Sequence, residues 1–386
     1  MTTYRSRLSR RDFVRLTAIG LGGLAGGRLL SACGPAANPA TPTTPASSTA
    51  PAPSPTIPAS PTTAAATSTA TAASTATAVV KIPPPEIVKF FPTILSKVIQ
   101  THHSGVWSNK TLVPGALRQM LDASITKLTG LGDAREAWAA LFRPGERIAI
   151  KVNTFSNSLI WTHVPLVLEV TNSLQEAGIP AEQITIFDYR TIELTTAGYP
   201  VNTDNPGVHC TGMDKNYSAE PSKVMNTQIA LATILKECDA LVNIPVLKSH
   251  MLAGITFAMK NHYGSLYRPE FLHSYDMREV AALNALPEIK DRTRLIIGDA
   301  LAANLRYANS YPYWQEDWIG DSIFMSFDPV AHDTMGLKLL TSELEKAGGN
   351  PASLIGMATP ALEYAVELGL GTNDPANMEV IEQTLA

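Results

Sequence analysis

The chain has 386 residues, 45% of them hydrophobic and 17% charged, with a formal charge of −4. Its first 33 residues hold six Arg and one Asp, so the remainder carries 24 basic against 33 acidic residues, a formal −9 that excludes a nucleic-acid binder reliant on a basic surface. After residue 80 no apolar run approaches the ~18 residues that a membrane-spanning helix needs.

At the amino terminus, Ser9-Arg10-Arg11-Asp12-Phe13-Val14 precedes a Gly-rich, mildly apolar segment from Leu16 to Leu30. That segment is too short and too interrupted to span a membrane stably, and it reads as a signal peptide. The paired arginines resemble the twin-arginine export signal. Leu30-Ser31-Ala32-Cys33 resembles the bacterial lipobox, in which Cys33 is lipidated and becomes the first residue. Residues 1–33 are therefore expected to engage the twin-arginine translocase and the lipoprotein-processing machinery. The lipid would tether the protein to the outer face of the cytoplasmic membrane, or place it in the periplasm or outer membrane. From Gly34 to Ala78 all but three residues are Ala, Pro, Ser or Thr, and no charge occurs between Arg28 and Lys81. Residues 34–80 thus form a disordered linker that cannot bury enough apolar surface to offset the entropy of ordering. Residues 81–386 remain as the folded part, long enough for a substantial core.

Within it, Pro144-Gly145-Glu146 signals a turn before the strand Arg147 to Asn153. Pro165 to Ala177 has helical spacing of Leu166, Val167, Val170 and Leu174, and stops at Gly178. Strand Ile184 to Asp188 follows, then a helix from Ile229 to Cys238 and a strand from Ala240 to Pro245. Arg294 to Asp299 and Ser322 to Asp328 read as two more strands, the second feeding a helix from Pro329 to Leu340 with proline at its start. Alternating strands and helices predict an α/β fold with a parallel or mixed central sheet covered by helices on both faces. Cys210 and Cys238 are compatible with one disulfide or with two buried thiols. Two cysteines cannot ligate a four-cysteine iron-sulfur cluster or build a typical structural zinc site.

Polar residues end these apolar runs: Asn153, Asp188, Asn243, Asp299 and Asp328. Each alone reads as a cap or turn, but five together form a polar rim where open α/β sheets bind ligands. Neither Gly-x-Gly-x-x-Gly after the first strand nor a phosphate-binding Walker loop occurs. The densest chemistry runs from Asn243 through Lys248 and His250, then Lys260, Asn261 and His262, to His273. Two lysines and three of the eight histidines fall in this stretch. Imidazoles there can ligate metal or move protons, and lysines can hold an anion or form a covalent adduct. His262, between Asn261 and Tyr263, is expected to serve packing alone.

Lys151-x-Asn153, the run Asp239 to His250, Lys260-Asn261-x-x-Gly264, His273, the strand ending at Asp299, and Phe327-Asp328-Pro329-Val330-Ala331-His332-Asp333 together resemble the DUF362 family, from about Glu146 to about Leu340. Many relatives carry a ferredoxin-like cluster module or a twin-arginine signal. The cluster cysteines are missing here, so an electron-transfer role does not carry over. Neither does the relatives' Glu-Gly-x-Gly-Pro loop, which Leu301 to Pro312 lacks. The order His250, Lys260, Asn261, His273 around a Gly-Ile-Thr turn is also similar to part of the nickel-pincer lactate racemases. That similarity implies His250 as acid or base, Lys260 as the attachment point of the pincer cofactor and His273 as a metal ligand. The racemases' other histidine motif has no counterpart, so racemisation itself is not implied.

The expected function is a membrane-tethered, extracytoplasmic enzyme or cofactor protein that uses a metal or an anionic small molecule at the strand ends. His250, Lys260 and His273 are the candidate catalytic residues. Lys151, Asn153, Lys248 and Asn261 are the candidate ligand-binding residues. His250, His273, Asp299 and Asp328 are candidate ligands for a divalent transition metal. The alternative is a tethered solute-binding protein that captures an anion without chemistry.

Overall fold

The computed structural model describes residues 95–386, apart from 156–158, 275 and 309. The expected signal peptide, Cys33 and the linker to residue 80 lie outside the described residues. The strands of the main sheet are β1 (Ser96–His103), β2 (Ile148–Lys151), β3 (Ile184–Asp188), β4 (His209–Gly212), β5 (Ala240–Asn243), β6 (Val246–His250), β7 (Gly254–Thr256), β8 (Thr293–Asn304), β9 (Trp318–Ser326) and β10 (Met378–Leu385). All ten join one sheet, in the order β10-β1-β9-β8-β5-β2-β3-β4, with β6 pairing β8 and β7 folding back on β6. Pairing is parallel through β8, β5, β2, β3 and β4, and also between β1 and β10, whereas β9 runs antiparallel to both β1 and β8. The sheet is mixed, as its alternating elements predict.

The helices are α1 (Pro114–Thr129), α2 (Ala134–Leu141), α3 (Val164–Glu176), α4 (Thr191–Thr196), α5 (Thr233–Glu237), α6 (Ala258–Asn261), α7 (Glu279–Asn284), α8 (Pro287–Lys290), α9 (Pro329–Lys346) and α10 (Ala352–Glu367). Strand side chains alternate between faces. Ile323 and Met325 of β9 thus join Leu117, Trp138 and Val170 in the core under α1 to α3. Phe324, between them in sequence, joins Val330, Leu340 and Leu354 in the core under α9 and α10. Two separate apolar cores on opposite faces are what bury both sides of the central strands. Among the described residues no helix is long and apolar enough to cross a membrane.

Local sequence chemistry sets several boundaries. The Asp328 side chain accepts hydrogen bonds from Val330 N and Ala331 N, and Pro329 opens α9 with a φ already suited to a helix. α1 begins at Pro114 and ends against Gly130, whose φ of 77° is in the left-handed region. The helix expected over Ile229 to Cys238 forms only as α5. Thr227–Ile229 is taken by a hairpin with Ser222–Val224, and Ala232 N is held by Ser265 O. Backbone pairing with a distant segment overrides local helical spacing there. Likewise β8 does not stop at Asp299 but continues to Asn304, because β6 and β9 supply partners on both sides.

Gly298 in β8 is a point of close approach. A Cβ there would stand 2.5 Å from His332 Nε2 and would press into the Phe257 ring. Gly298→Ala is accordingly expected to cost about 1–3 kcal/mol of stability through overpacking. The urea midpoint should fall at unchanged slope.

Candidate functional site

The carboxyl ends of β2, β3 and β5 lie side by side, so their terminal polar residues meet. The Lys151 Nζ donates to Val152 O at 2.6 Å, to Asp188 Oδ1 at 2.7 Å and to Asn261 Oδ1 at 3.3 Å. These three acceptors use all three ammonium donors. The second Asp188 oxygen accepts from the Thr154 backbone N–H and hydroxyl. Asn261 is the hub of this floor. Its Oδ1 also accepts from Asn153 Nδ2 at 3.1 Å, and its Nδ2 donates to Asn243 Oδ1 at 2.7 Å. Asn153 Oδ1 in turn accepts from Lys248 Nζ at 2.6 Å.

β6 supplies Lys248 and His250 as one wall, and its hairpin with β7 brings the chain back into α6, which presents Lys260 and Asn261. The Lys260 Nζ lies 3.2 Å from His273 Nε2 and 3.5 Å from the centre of the Tyr263 ring. Tyr263 ties its own segment down by donating to Leu272 O at 2.6 Å. The roof is aromatic. Trp314 is fixed by its indole N–H to Ser249 O at 2.7 Å, lies 5.7 Å from the His250 ring, and has Lys248 Nζ 5.6 Å from its face. Tyr307 and Tyr313 stack on each other at 5.8 Å, and Phe155 packs edge-on against Trp314. The cavity measures about 160 Å³, some ten times what one ordered water needs.

Hydrogen-bond partners assign the two histidines opposite tautomers. His250 Nδ1 accepts from Leu252 N and Ala253 N, both at 3.1 Å, so its proton sits on Nε2. His273 Nδ1 donates to Pro269 O at 2.9 Å, so its Nε2 is the lone pair that faces Lys260. The rings lie 6.0 Å apart and nearly parallel. One therefore offers a donor and the other an acceptor to the same space.

Burial dominates the electrostatics. It pulls the Lys248 ammonium down to about 7, with Asp188 acting to raise it and Lys151 to lower it. It pushes Lys260 well below the usual lysine range. His250 falls well below an ordinary histidine through burial and the nearby Lys260, His273 and Lys248, and His273 through burial and Lys260. Lys151 is also lowered by burial, against the opposing pull of Asp188.

Residues 148–338 match the family model described as a domain of unknown function, DUF362. This chain carries a DUF362 domain. The matched segment contains every residue that lines the cavity, from Lys151 to Trp314. No curated protein matches the chain. Among solved structures, the lactate racemase apoprotein from Thermoanaerobacterium thermosaccharolyticum is similar with a TM-score of 0.36 and 10% identity, covering 63% of this chain and 57% of that one. A Northeast Structural Genomics Consortium target from Thermotoga maritima gives a TM-score of 0.32 and 11% identity, covering 66% and 59%. The chain thus spans less than two thirds of the length of either, and superposition at this level says nothing about the chemistry of the cavity.

In the DUF362 domain, Lys151, Asn153, Lys248, His250, Lys260, Asn261 and His273 all line the one cavity. Asp299 and Asp328 do not. Asp299 lies within β8, fully buried, where its carboxylate accepts from His163 N and His163 Nδ1 at 2.8 Å and from Leu301 N at 3.1 Å. Its charge raises the His163 pKa against the effect of burial. Asp328 follows β9, the strand that runs against its neighbours, so it emerges at the opposite edge of the sheet. There it caps α9 and clamps Ser96 Oγ at 2.6 Å and Thr372 N at 3.0 Å.

The expected metal set His250, His273, Asp299 and Asp328 therefore does not come together as a coordination shell. His273 has the geometry of a ligand, with Nδ1–H on a carbonyl, but the Nε2 of His250 carries a proton. Among the described residues no group of three His, Cys, Asp or Glu is placed to hold a metal ion. Lys151 differs from expectation as well, because its donors are consumed by the floor. Cys210 and Cys238 are buried free thiols, both pushed up to about 12 by burial. His262 is fully buried as packing, and its Nδ1 lies 3.3 Å from Ser265 Oγ.

Sequence reasoning did not single out Asp188 as the partner of Lys151, nor Tyr263 or the roof. The roof had a signal in the aromatic density of Tyr307, Tyr311, Tyr313 and Trp314 within eight residues.

Proposed function

We propose that this DUF362 domain is an enzyme or cofactor protein that captures a small anionic carbonyl compound, with Lys260 as the amine that attacks it. One observation carries the reading. The Lys260 amine is buried, has no carboxylate partner among the described residues, and stands 3.2 Å from the lone pair of His273 Nε2. An amine without its proton is a nucleophile, and a neighbouring imidazole can accept the proton it releases. The nitrogen adds to the carbonyl carbon while its first proton passes through His273 to the oxygen, giving a carbinolamine. The nitrogen's second proton follows by the same imidazole to the hydroxyl, so water leaves as the carbon–nitrogen double bond forms. His250 Nε2–H is a donor for the carbonyl oxygen. Lys248 pairs with the anionic group, and the Trp314 and Tyr313 roof favours a planar substituent.

The experiment is reductive trapping. The full chain is mixed with glyoxylate or phenylglyoxylate, reduced with cyanoborohydride and mapped by mass spectrometry. One adduct per chain on Lys260 is expected, falling at least about 100-fold in Lys260→Met at little change in melting temperature. Adducts spread over surface lysines, or undiminished in the variant, would sink the proposal. Saturable binding without an adduct would favour the solute-binding alternative.

The same proposal places the domain outside the cytoplasm on a lipid at Cys33, supported by the twin-arginine and lipobox motifs. Cys33→Ala should shift the protein from the membrane fraction to the soluble fraction or leave an unprocessed precursor. An unchanged distribution between fractions would count against the tether.

A further inference from the structure

We propose that Asp333, which lies outside the cavity wall, is the positioning residue that sets Lys260. α6 has four residues, far below the length at which a helix persists unaided in water, so something else must hold it. Its first two N–H groups, Ala258 N and Met259 N, donate to the two oxygens of Asp333 at 2.7 and 3.0 Å. Those donors have no partner within the helix, and Asp333 satisfies both at once. Two carbonyls of α6 are also held, Ala258 O by Asn243 Nδ2 and Met259 O by Asn284 Nδ2, both at 2.8 Å, and at its far end the Asn261 side chain is tied into the floor.

Asp333 is itself held rigidly. It is buried in α9, five residues beyond Asp328, which fastens the start of that helix to Ser96 and Thr372. The His332 ring packs at a tilt against Phe257, the residue immediately before α6, with centroids 4.4 Å apart and its Nδ1 3.3 Å from Asp333 Oδ1. Gly298 and Gly336 leave the space that the Phe257 ring fills. The grip on Phe257 and α6 therefore comes from α9, no residue of which lines the cavity. This accounts for the His332-Asp333 end of the motif beginning at Phe327, which lines no part of the pocket. Lys260 directly follows Met259 in the same single turn, so its 3.2 Å approach to His273 depends on that turn keeping its place.

The functional meaning of this positioning rests on Lys260 as the reacting amine, but its test does not. In the full chain labelled with ¹⁵N-histidine, the His273 Nε2 signal reports contact with Lys260, and Lys260→Met defines the signal without it. Asp333→Asn replaces one oxygen by an amide donor that opposes a backbone N–H. In that variant the His273 signal should move to the Lys260→Met position while His250 stays in place. Mere destabilisation would lower the melting temperature and leave the folded-state signal where it was, and that result overturns the proposal. If Asp333→Asn does not fold, hydrogen exchange on the unaltered protein decides: Ala258 and Met259 amides should exchange only through global unfolding, and faster exchange overturns it. Trapping by glyoxylate should fall about 10–100-fold in a folded Asp333→Asn. Absence of trapping in the unaltered protein would sink the proposed function and leave the His273 result standing.

Discussion

Asp188→Ala is expected to lower the unfolding free energy by about 3–5 kcal/mol, the cost of leaving a buried charge without its partner. Lys151 is fully buried, and its ion-pair partner is Asp188, at 2.7 Å. Removing that carboxylate also strips the acceptor from the Thr154 N–H and hydroxyl, two further buried donors. Urea unfolding measures the loss, and the double variant Lys151→Met with Asp188→Leu should recover most of it, since a buried pair replaced by apolar groups is often neutral. A single-variant loss under about 1 kcal/mol would mean that the pair behaves like an exposed one.

Anion binding should be strongest below neutrality and weaken as pH rises through about 7, because Lys248 is the lysine of the floor and wall that loses its proton there. The sign follows from the depressed pKa. Below it the side chain is an ammonium and attracts a carboxylate; above it the protonated fraction, and with it the affinity, falls about tenfold per pH unit. Lys151 cannot substitute, since its donors are committed, and Lys260 is held well below its usual range by burial. Calorimetric titration of phenylglyoxylate between pH 5.5 and 8.5 reads the slope. Lys248→Met should weaken binding about 100-fold at the acid end and flatten the profile, in keeping with loss of a charge-assisted hydrogen bond in a buried site. A profile that stays sloped in the variant would assign the titration to another group.

The location of the site was legible in the sequence, and the reasons are particular. Runs such as Ile148 to Asn153, Ile184 to Asp188 and Ala240 to Asn243 are apolar segments that end in a polar residue. Parallel strands necessarily bring such ends to one edge. The cluster from Lys248 to His273 is dense enough to mark the wall of that edge without knowledge of its contacts. The same logic misplaced Asp299 and Asp328, because the direction and extent of a strand are properties of its partners. β9 runs against β8, which carries Asp328 to the far edge, and β8 continues past Asp299 because β6 offers it a parallel neighbour.

By itself, then, the sequence determined the alternating α/β layout and the edge at which polar residues gather, since both follow from periodicity and chain order, and it named nine candidate side chains of which seven line the cavity. Only the tertiary structure decided what each of them can do. Lys151 is paired with Asp188, 37 positions along the chain, whereas Lys260 has no carboxylate partner among the described residues. The tautomers of His250 and His273 are set by backbone groups of Leu252, Ala253 and Pro269. Charge state and proton position depend on desolvation and on hydrogen-bond geometry at the ångström scale, and those exist only once distant segments have packed together.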